Sequence, residues 1–143
     1  IPLKAYRDPG AFKVFLLDVG LLGAMSELDS KSVIEGNTLF EEFKGALTEQ
    51  YVCQELIACC KLVPYYWSAE NSRGELDFLA QSAGTVYGIE VKAKENLRAK
   101  SLRSFKEKYP DIQARRFSLS DYRAQDWLTN VPLYLMGNTA LWL

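Results

Sequence analysis

The chain has 143 residues, 48% of them hydrophobic and 24% charged, which fits one soluble globular domain and excludes disordered, fibrous and membrane-spanning classes. It contains no histidine, so a Ser-His-Asp triad, a Cys-His pair, a histidine general base and every imidazole zinc site are excluded. With 17 Lys plus Arg against 18 Asp plus Glu, the net charge of -1 advertises no global field for nucleic acid, and any such binding must use a local patch.

The first residues, IPLKAYRDPG, lack the basic start and apolar centre of a signal peptide, and no apolar run reaches the length of a membrane helix, so a cytoplasmic location is expected. The start at Ile1, with no initiator Met, reads as a piece of a longer protein. FKVFLL (12–17) suits a short buried strand, and GLLGAM after Asp18 suits a short helix. From Thr38 to Lys61 there is no proline, and the apolar spacing predicts a long helix, with Thr38 as N-cap and Glu41 completing a capping box. Phe40, Phe43, Leu47 and Tyr51 share one arc of it, while Val52, Cys53, Leu56 and Cys60 share a second. The three cysteines, Cys53, Cys59 and Cys60, crowd into this apolar stretch and read as buried, reduced thiols.

Next come strands at LVPYYW (62–67), ELDFLA (75–80) and TVYGIEVKA (85–93), a helix over about 97–109, and strands at ARRFSL (114–119) and VPLYLM (131–136). Short spacers predict antiparallel hairpins among the first three strands, and the crossover helix brings ARRFSL back parallel. The expected class is α/β, a mixed central sheet flanked by helices. Residues 1–37 would form an N-terminal strand and helix extension packed on a core of 38–143. The aromatic residues read as core rather than as a base-stacking platform.

Alternation in TVYGIEVKA projects Glu90 and Lys92 together, and in ELDFLA it puts Glu75, Asp77 and Leu79 on one face with Leu76, Phe78 and Ala80 on the other. A two-residue turn at Ala83-Gly84 pairs positions whose numbers sum to 167, setting Asp77 beside Glu90 and Glu75 beside Lys92. Opposed like charges are destabilising unless something positive lies between them, and a divalent cation such as Mg²⁺ takes one or two carboxylates with oxygen ligands elsewhere. Lys92 would then stand near enough to orient a nucleophilic water or to stabilise phosphate charge. The same residues also suit a solvated sheet face with an ordinary lysine–carboxylate pair. Glu49 falls within the second apolar arc of the long helix, where a carboxylate is either half of a structural ion pair or a third acid at the same site.

G-E-L-D-F followed by G-I-E-V-K resembles the D…(D/E)-x-K signature of the restriction-endonuclease-like nuclease superfamily. FKVFLLDVGLLGAM, LFEEFKGALTEQYVCQEL, YYWSAENSRGELDFLA and IEVKAKENLRAKSL together resemble the C-terminal domain of unknown function attached to many prokaryotic AAA-type ATPases, over about Phe12 to Leu135. The resemblance implies a restriction-endonuclease-like core, helix, three strands, helix, strand. It implies Asp77 and Glu90 as metal ligands, Lys92 as the catalytic lysine, Glu49 as the helix acid that completes the site, and the Val91 carbonyl as a further ligand. Mg²⁺ or Mn²⁺ is the implied cofactor, and an ATPase domain of the same parent chain an implied partner. No G-x-x-x-x-G-K-[ST] loop occurs in these residues.

Between Lys92 and Lys108 the chain carries seven of its 17 basic residues, Lys92, Lys94, Arg98, Lys100, Arg103, Lys106 and Lys108, against Glu95 and Glu107. This helix offers a face for phosphates of nucleic acid, DNA foremost, or is an ordinary solvated face. Arg115 and Arg116 would extend the patch, one of them pointing to the other side of the sheet. The loop Asn71-Ser72-Arg73-Gly74 either touches substrate through Arg73 or simply connects two strands. The expected function is a metal-dependent nuclease domain; the alternative is a non-catalytic module binding nucleic acid, a partner protein or its own ATPase.

Overall fold

The proline-free stretch after residue 37 folds as the longest element. In the computed structural model, which describes residues 2–29, 31, 33, 38–69, 74–93 and 98–143, it is a helix over Thr38–Ala58 (α2). The side chain of Thr38 lies outside the described residues, and with it the expected capping box. Glu41 also meets Lys44 at 3.5 Å. Ahead of it runs α1 (Val19–Met25), capped by Asp18, whose carboxylate accepts the Leu21 N–H at 2.7 Å. Val52, Cys53 and Leu56, from the second predicted arc, are the part of α2 that enters the core.

Six strands form one mixed sheet: β1 (Tyr65–Ser68), β2 (Glu75–Ser82), β3 (Thr85–Lys92), β4 (Gln113–Ser118), β5 (Arg123–Ala124) and β6 (Thr129–Pro132), in the order β1-β2-β3-β4-β6-β5. The pairs β1–β2 and β2–β3 are antiparallel, as the short spacers predict. Phe78–Ile89 through Ser82–Thr85 all sum to 167, the expected register, and Ala83 and Gly84 both take positive φ, +47° and +84°, as a tight two-residue turn requires. Helix α3 (Lys100–Lys108) crosses over from β3, so that β4 runs parallel to it, and β4 in turn pairs parallel with β6. One core lies between the sheet and α2, where Phe78, Ile89, Val91 and Phe117 meet Val52 and Leu56; Trp142 closes it edge-on against Phe117 and Tyr87. A second core lies on the α3 side, where Leu76, Leu79 and Ala114 meet Leu102 and Phe105.

Four expectations need correction. Residues 12–17 form no strand: Phe12, Val14 and Leu17 are 75%, 79% and 85% exposed. Among the described residues no neighbouring strand holds this segment. The buried Gln50 amide takes that role, its Oε1 accepting the Leu16 N–H and its Nε2 donating to the Leu16 carbonyl, both at 2.9 Å. The predicted strand 131–136 stops at Pro132, and Leu133–Leu135 turn into a 3-10 helix. Of the thiols, Cys53 is buried and Cys60 partly so, but Cys59 is exposed just past the end of α2. Tyr6, Phe12, Tyr109, Tyr122 and Tyr134 are exposed, so part of the aromatic set lies outside the core.

Gly88 is the tight point of the α3-side core. A Cβ there would stand 2.9 Å from Ile112 Cδ1 and 3.1 Å from Leu102 Cδ1. Gly88→Val should therefore lose about 1–3 kcal/mol of stability by overpacking, although valine favours strands, read as a lower urea midpoint at unchanged slope. An unchanged midpoint would show that the α3 contact is looser than these distances state.

Candidate functional site

The ladder between β2 and β3 ends at Phe78–Ile89, although β2 continues back to Glu75 and β3 on to Lys92. Beyond that point each strand keeps only its outer neighbour: β2 pairs with β1 at Trp67–Leu76 and Ser68–Glu75, and β3 with β4 up to Lys92–Ser118. Against β1, the step from Leu79 to Leu76 spans three residues of β2 for two of β1, a bulge that reverses the alternation at Asp77. Leu76 therefore joins Leu79 on the α3 side, while Phe78 and Ala80 face α2. The regular alternation expected for ELDFLA fails for this reason. So does the expected pairing of Glu75 with Lys92: Glu75 lies 2.5 Å from Lys13 Nζ instead.

Asp77 bridges the parted strands. Its Oδ2 accepts the Val91 N–H at 2.6 Å, standing in for the backbone carbonyl a continued ladder would offer. Val91 thus enters the site through its N–H, with its side chain in the α2-side core. Glu90 is buried, and its Oε1 lies 2.5 Å from Lys92 Nζ. Its Oε2 is buried too and has no hydrogen-bond partner among the described residues. Glu49 is half-exposed where α2 passes the parted strands, not enclosed in the apolar arc, and approaches Lys13 Nζ at 4.0 Å.

Among the described residues, four carboxylates, Glu49, Glu75, Asp77 and Glu90, face three cations, Lys13, Lys92 and Arg116, an excess of one negative charge. Burial pushes the Asp77 carboxyl above its usual range, against the opposing pull of the Val91 N–H and of Lys92 and Lys13. Burial does the same to Glu90, aided by Asp77 and opposed by Lys92. Glu49 is raised by burial, then by Asp77. Burial alone would lower the Lys13 ammonium, but Glu75, Glu49 and Asp77 together raise it. Among the described residues no three acid or cysteine side chains converge closely enough to share one ion. The arrangement offers a carboxylate pair, Asp77 and Glu90, with an ammonium beside it.

Lys13 went unnoticed in the sequence. Its one signal is a lone charge inside the apolar run FKVFLL, and only docking of that segment brings it over the Tyr66 ring, at 5.3 Å, and into the acids. Among the expected phosphate contacts, Arg98, Lys100 and Arg103 are exposed, while Arg73 and Lys94 lie outside the described residues. Arg103 pairs with Glu107 at 3.3 Å and lies over the Trp127 ring. Lys106 does not face outward: it donates to the carbonyls of Pro110 and Ile112 beyond the end of α3. Arg115 turns to the α2 side, donating to the Trp142 carbonyl at 2.6 Å, and Arg116 to the α3 side.

The fold and site define a mixed α/β domain with carboxylates and lysines gathered where two central strands part. The chain belongs to the family described as a domain of unknown function, DUF4143, which matches residues 44–136. It is 29% identical over 108 residues to an uncharacterized protein of Mycobacterium bovis and, equally, to one of Mycobacterium tuberculosis, covering 75% of this chain. The chain spans 23% of the length of those relatives. No solved structure matches it. Among the described residues no helix is long and apolar enough to cross a membrane.

The raised carboxyls fix a sign for the pH dependence. An acid whose pKa is higher folded than unfolded binds its proton more tightly in the folded state. Its stabilisation is complete below the ordinary carboxylate range and is lost as pH rises from about 4 through the raised values. In chelator, the contribution of Glu49, Asp77 and Glu90 should thus make urea stability fall from about pH 4 towards neutrality, and Asp77→Asn should flatten the decline. A stability that climbs over that interval, equally in both chains, would contradict the described cluster.

Proposed function

We propose that this chain is a metal-dependent nuclease domain of the restriction-endonuclease-like kind, hydrolysing phosphodiester bonds of nucleic acid, DNA in the first place. The observation that carries the reading is the buried Glu90 Oε2, which has no hydrogen-bond partner among the described residues, beside a second carboxylate in a cluster with excess negative charge. A buried carboxylate oxygen left unpaired is costly, and a cation removes that cost. The donor set fits Mg²⁺ or Mn²⁺, which take one or two carboxylates and fill their remaining positions with water and substrate phosphate. Asp77 and Glu90 would hold the ion and Glu49 would lie further out; the Val91 carbonyl is a further candidate ligand.

When bound, such an ion supplies Lewis acidity and water activation. The residues of the chain do the rest. Asp77, fixed by the Val91 N–H, and Glu90, fixed by Lys92, keep two oxygen donors at set positions. Lys92 orients the attacking water and offers positive charge to the phosphate as its charge develops. The water gives up one proton as its oxygen bonds to phosphorus, one ester P–O bond breaks, and the leaving alkoxide takes up a proton in its place. Lys13, paired with Glu75 and close to Glu49, offsets one of their two charges, which reduces repulsion of an approaching phosphate. The exposed Arg98, Lys100 and Arg103 supply phosphate contacts along α3. An AAA-type ATPase domain in the same parent protein is the proposed partner, and the mycobacterial relatives extend far enough beyond the matched segment to hold one.

Plasmid DNA incubated with the chain and Mg²⁺ or Mn²⁺ tests this. Nicking or linearisation is expected, abolished by chelator and slowed about 10²–10⁴-fold in Lys92→Ala at unchanged circular dichroism. Cleavage that persists undiminished in Lys92→Ala, or no cleavage with either metal, would refute the nuclease reading.

A further inference from the structure

Arg116 is 6% exposed, and its Nε donates to Asn130 Oδ1 at 2.8 Å across the parallel pair β4–β6. Asn130 is spoken for on every side. Its Oδ1 also accepts the Ser118 hydroxyl at 2.8 Å, and its Nδ2 donates to the carbonyls of Ser120 and Asp121 at 3.2 and 2.8 Å. This network holds the Ser120–Asp121 backbone beside β4 and β6, where Arg116 and Asn130 line a cavity of about 560 Å³. Tyr122, Arg123 and Trp127 form its walls, with Asp121 as the single acid among its lining residues. Tyr122 and Arg123 are exposed, and Trp127 is half-buried.

Position relates the cavity to the carboxylates. Arg116 is the register partner of Glu90 on the adjacent parallel strand, so both side chains rise from the same sheet face, about 4.8 Å apart at the backbone. Arg103 of α3 lies 5.7 Å from the centre of the Trp127 ring, which joins the basic helix to the wall of the cavity.

We infer that this cavity binds a nucleoside phosphate, its phosphate between Arg116 and Arg123 and its base against Tyr122 and Trp127. Burial pushes the Arg116 guanidinium down, Glu90 opposes this and Arg123 adds to it, so the cavity is lined by a buried positive charge and an exposed one that an anion can share. Guanidinium groups suit phosphate oxygens through paired N–H donors, and flat aromatic rings stack on any base. The volume lies within the range of small-ligand sites and exceeds what a bare phosphate fills. The inference deepens the nuclease reading, on which it rests: a nucleotide seated here as part of a strand would bring a neighbouring phosphodiester towards Glu90, the register partner of Arg116.

Binding measured in chelator separates the two claims, since a chain that never cleaves still reports on the cavity. Calorimetry would use inorganic phosphate, adenosine monophosphate and a 5′-phosphorylated single-stranded oligonucleotide with the intact 143-residue chain, Arg123→Glu and Tyr122→Ala. Both variants lie at exposed positions beside a two-residue strand. Expected is binding of nucleotide or oligonucleotide at least tenfold tighter than phosphate, weakened at least tenfold in each variant. Oligonucleotide tighter than mononucleotide identifies a strand as the source, and equal affinity identifies a free nucleotide; either supports the site. No binding, phosphate bound as tightly as nucleotide, or affinities unchanged in either variant would overturn it.

Discussion

The bond from the Val91 N–H to the Asp77 carboxylate is the contact on which the site depends. Central antiparallel strands ordinarily continue their ladder, because an unpaired backbone N–H inside a protein is expensive. Here a side chain satisfies that N–H, so β2 and β3 separate without leaving it orphaned. The same oxygen is thereby pinned near Glu90. A short carboxylate does two jobs at once: it ends a ladder and places an acid at the opening.

Separation of the strands lets both faces of the sheet contribute to one place. From the α2 side come Glu49 and Lys13, the latter carried by a segment whose backbone is held by Gln50 and whose Phe15 ring packs 5.6 Å from that of Phe78. From the α3 side come Glu90, Lys92 and, one strand over, Arg116 with its cavity. Negative charge gathers where the strands part, and positive charge gathers on β4, its flanking turn and α3. This division suits a reaction in which acids hold a cation while guanidinium groups hold a polyanion.

The hairpin was readable because its determinants are local. Two alternating apolar runs and an Ala-Gly turn set the register as far as Phe78–Ile89; Asp77 and Glu90 lie one step past the end of that ladder, where the strands part. Glu90 with Lys92 followed from strand period, and the α2 core arc from helix period. What escaped is non-local. The bulge at Asp77 exists only through pairing with β1, and it is what sends Glu75 to Lys13 rather than Lys92. FKVFLL has the composition of a strand, yet its partner is a glutamine side chain of a helix 34 residues away. The cavity around Arg116 needs a two-residue strand, a turn and a tryptophan brought together by β6, and none of these carries a periodic signal.

Anomalous scattering from a crystal of the chain soaked in Mn²⁺ addresses the central claim most directly, because it locates the ion without reference to turnover. The account predicts a peak at the parted ends of β2 and β3, in contact with both Asp77 and Glu90 Oε2. A map with no peak there, or with manganese bound only elsewhere on the surface, would contradict it.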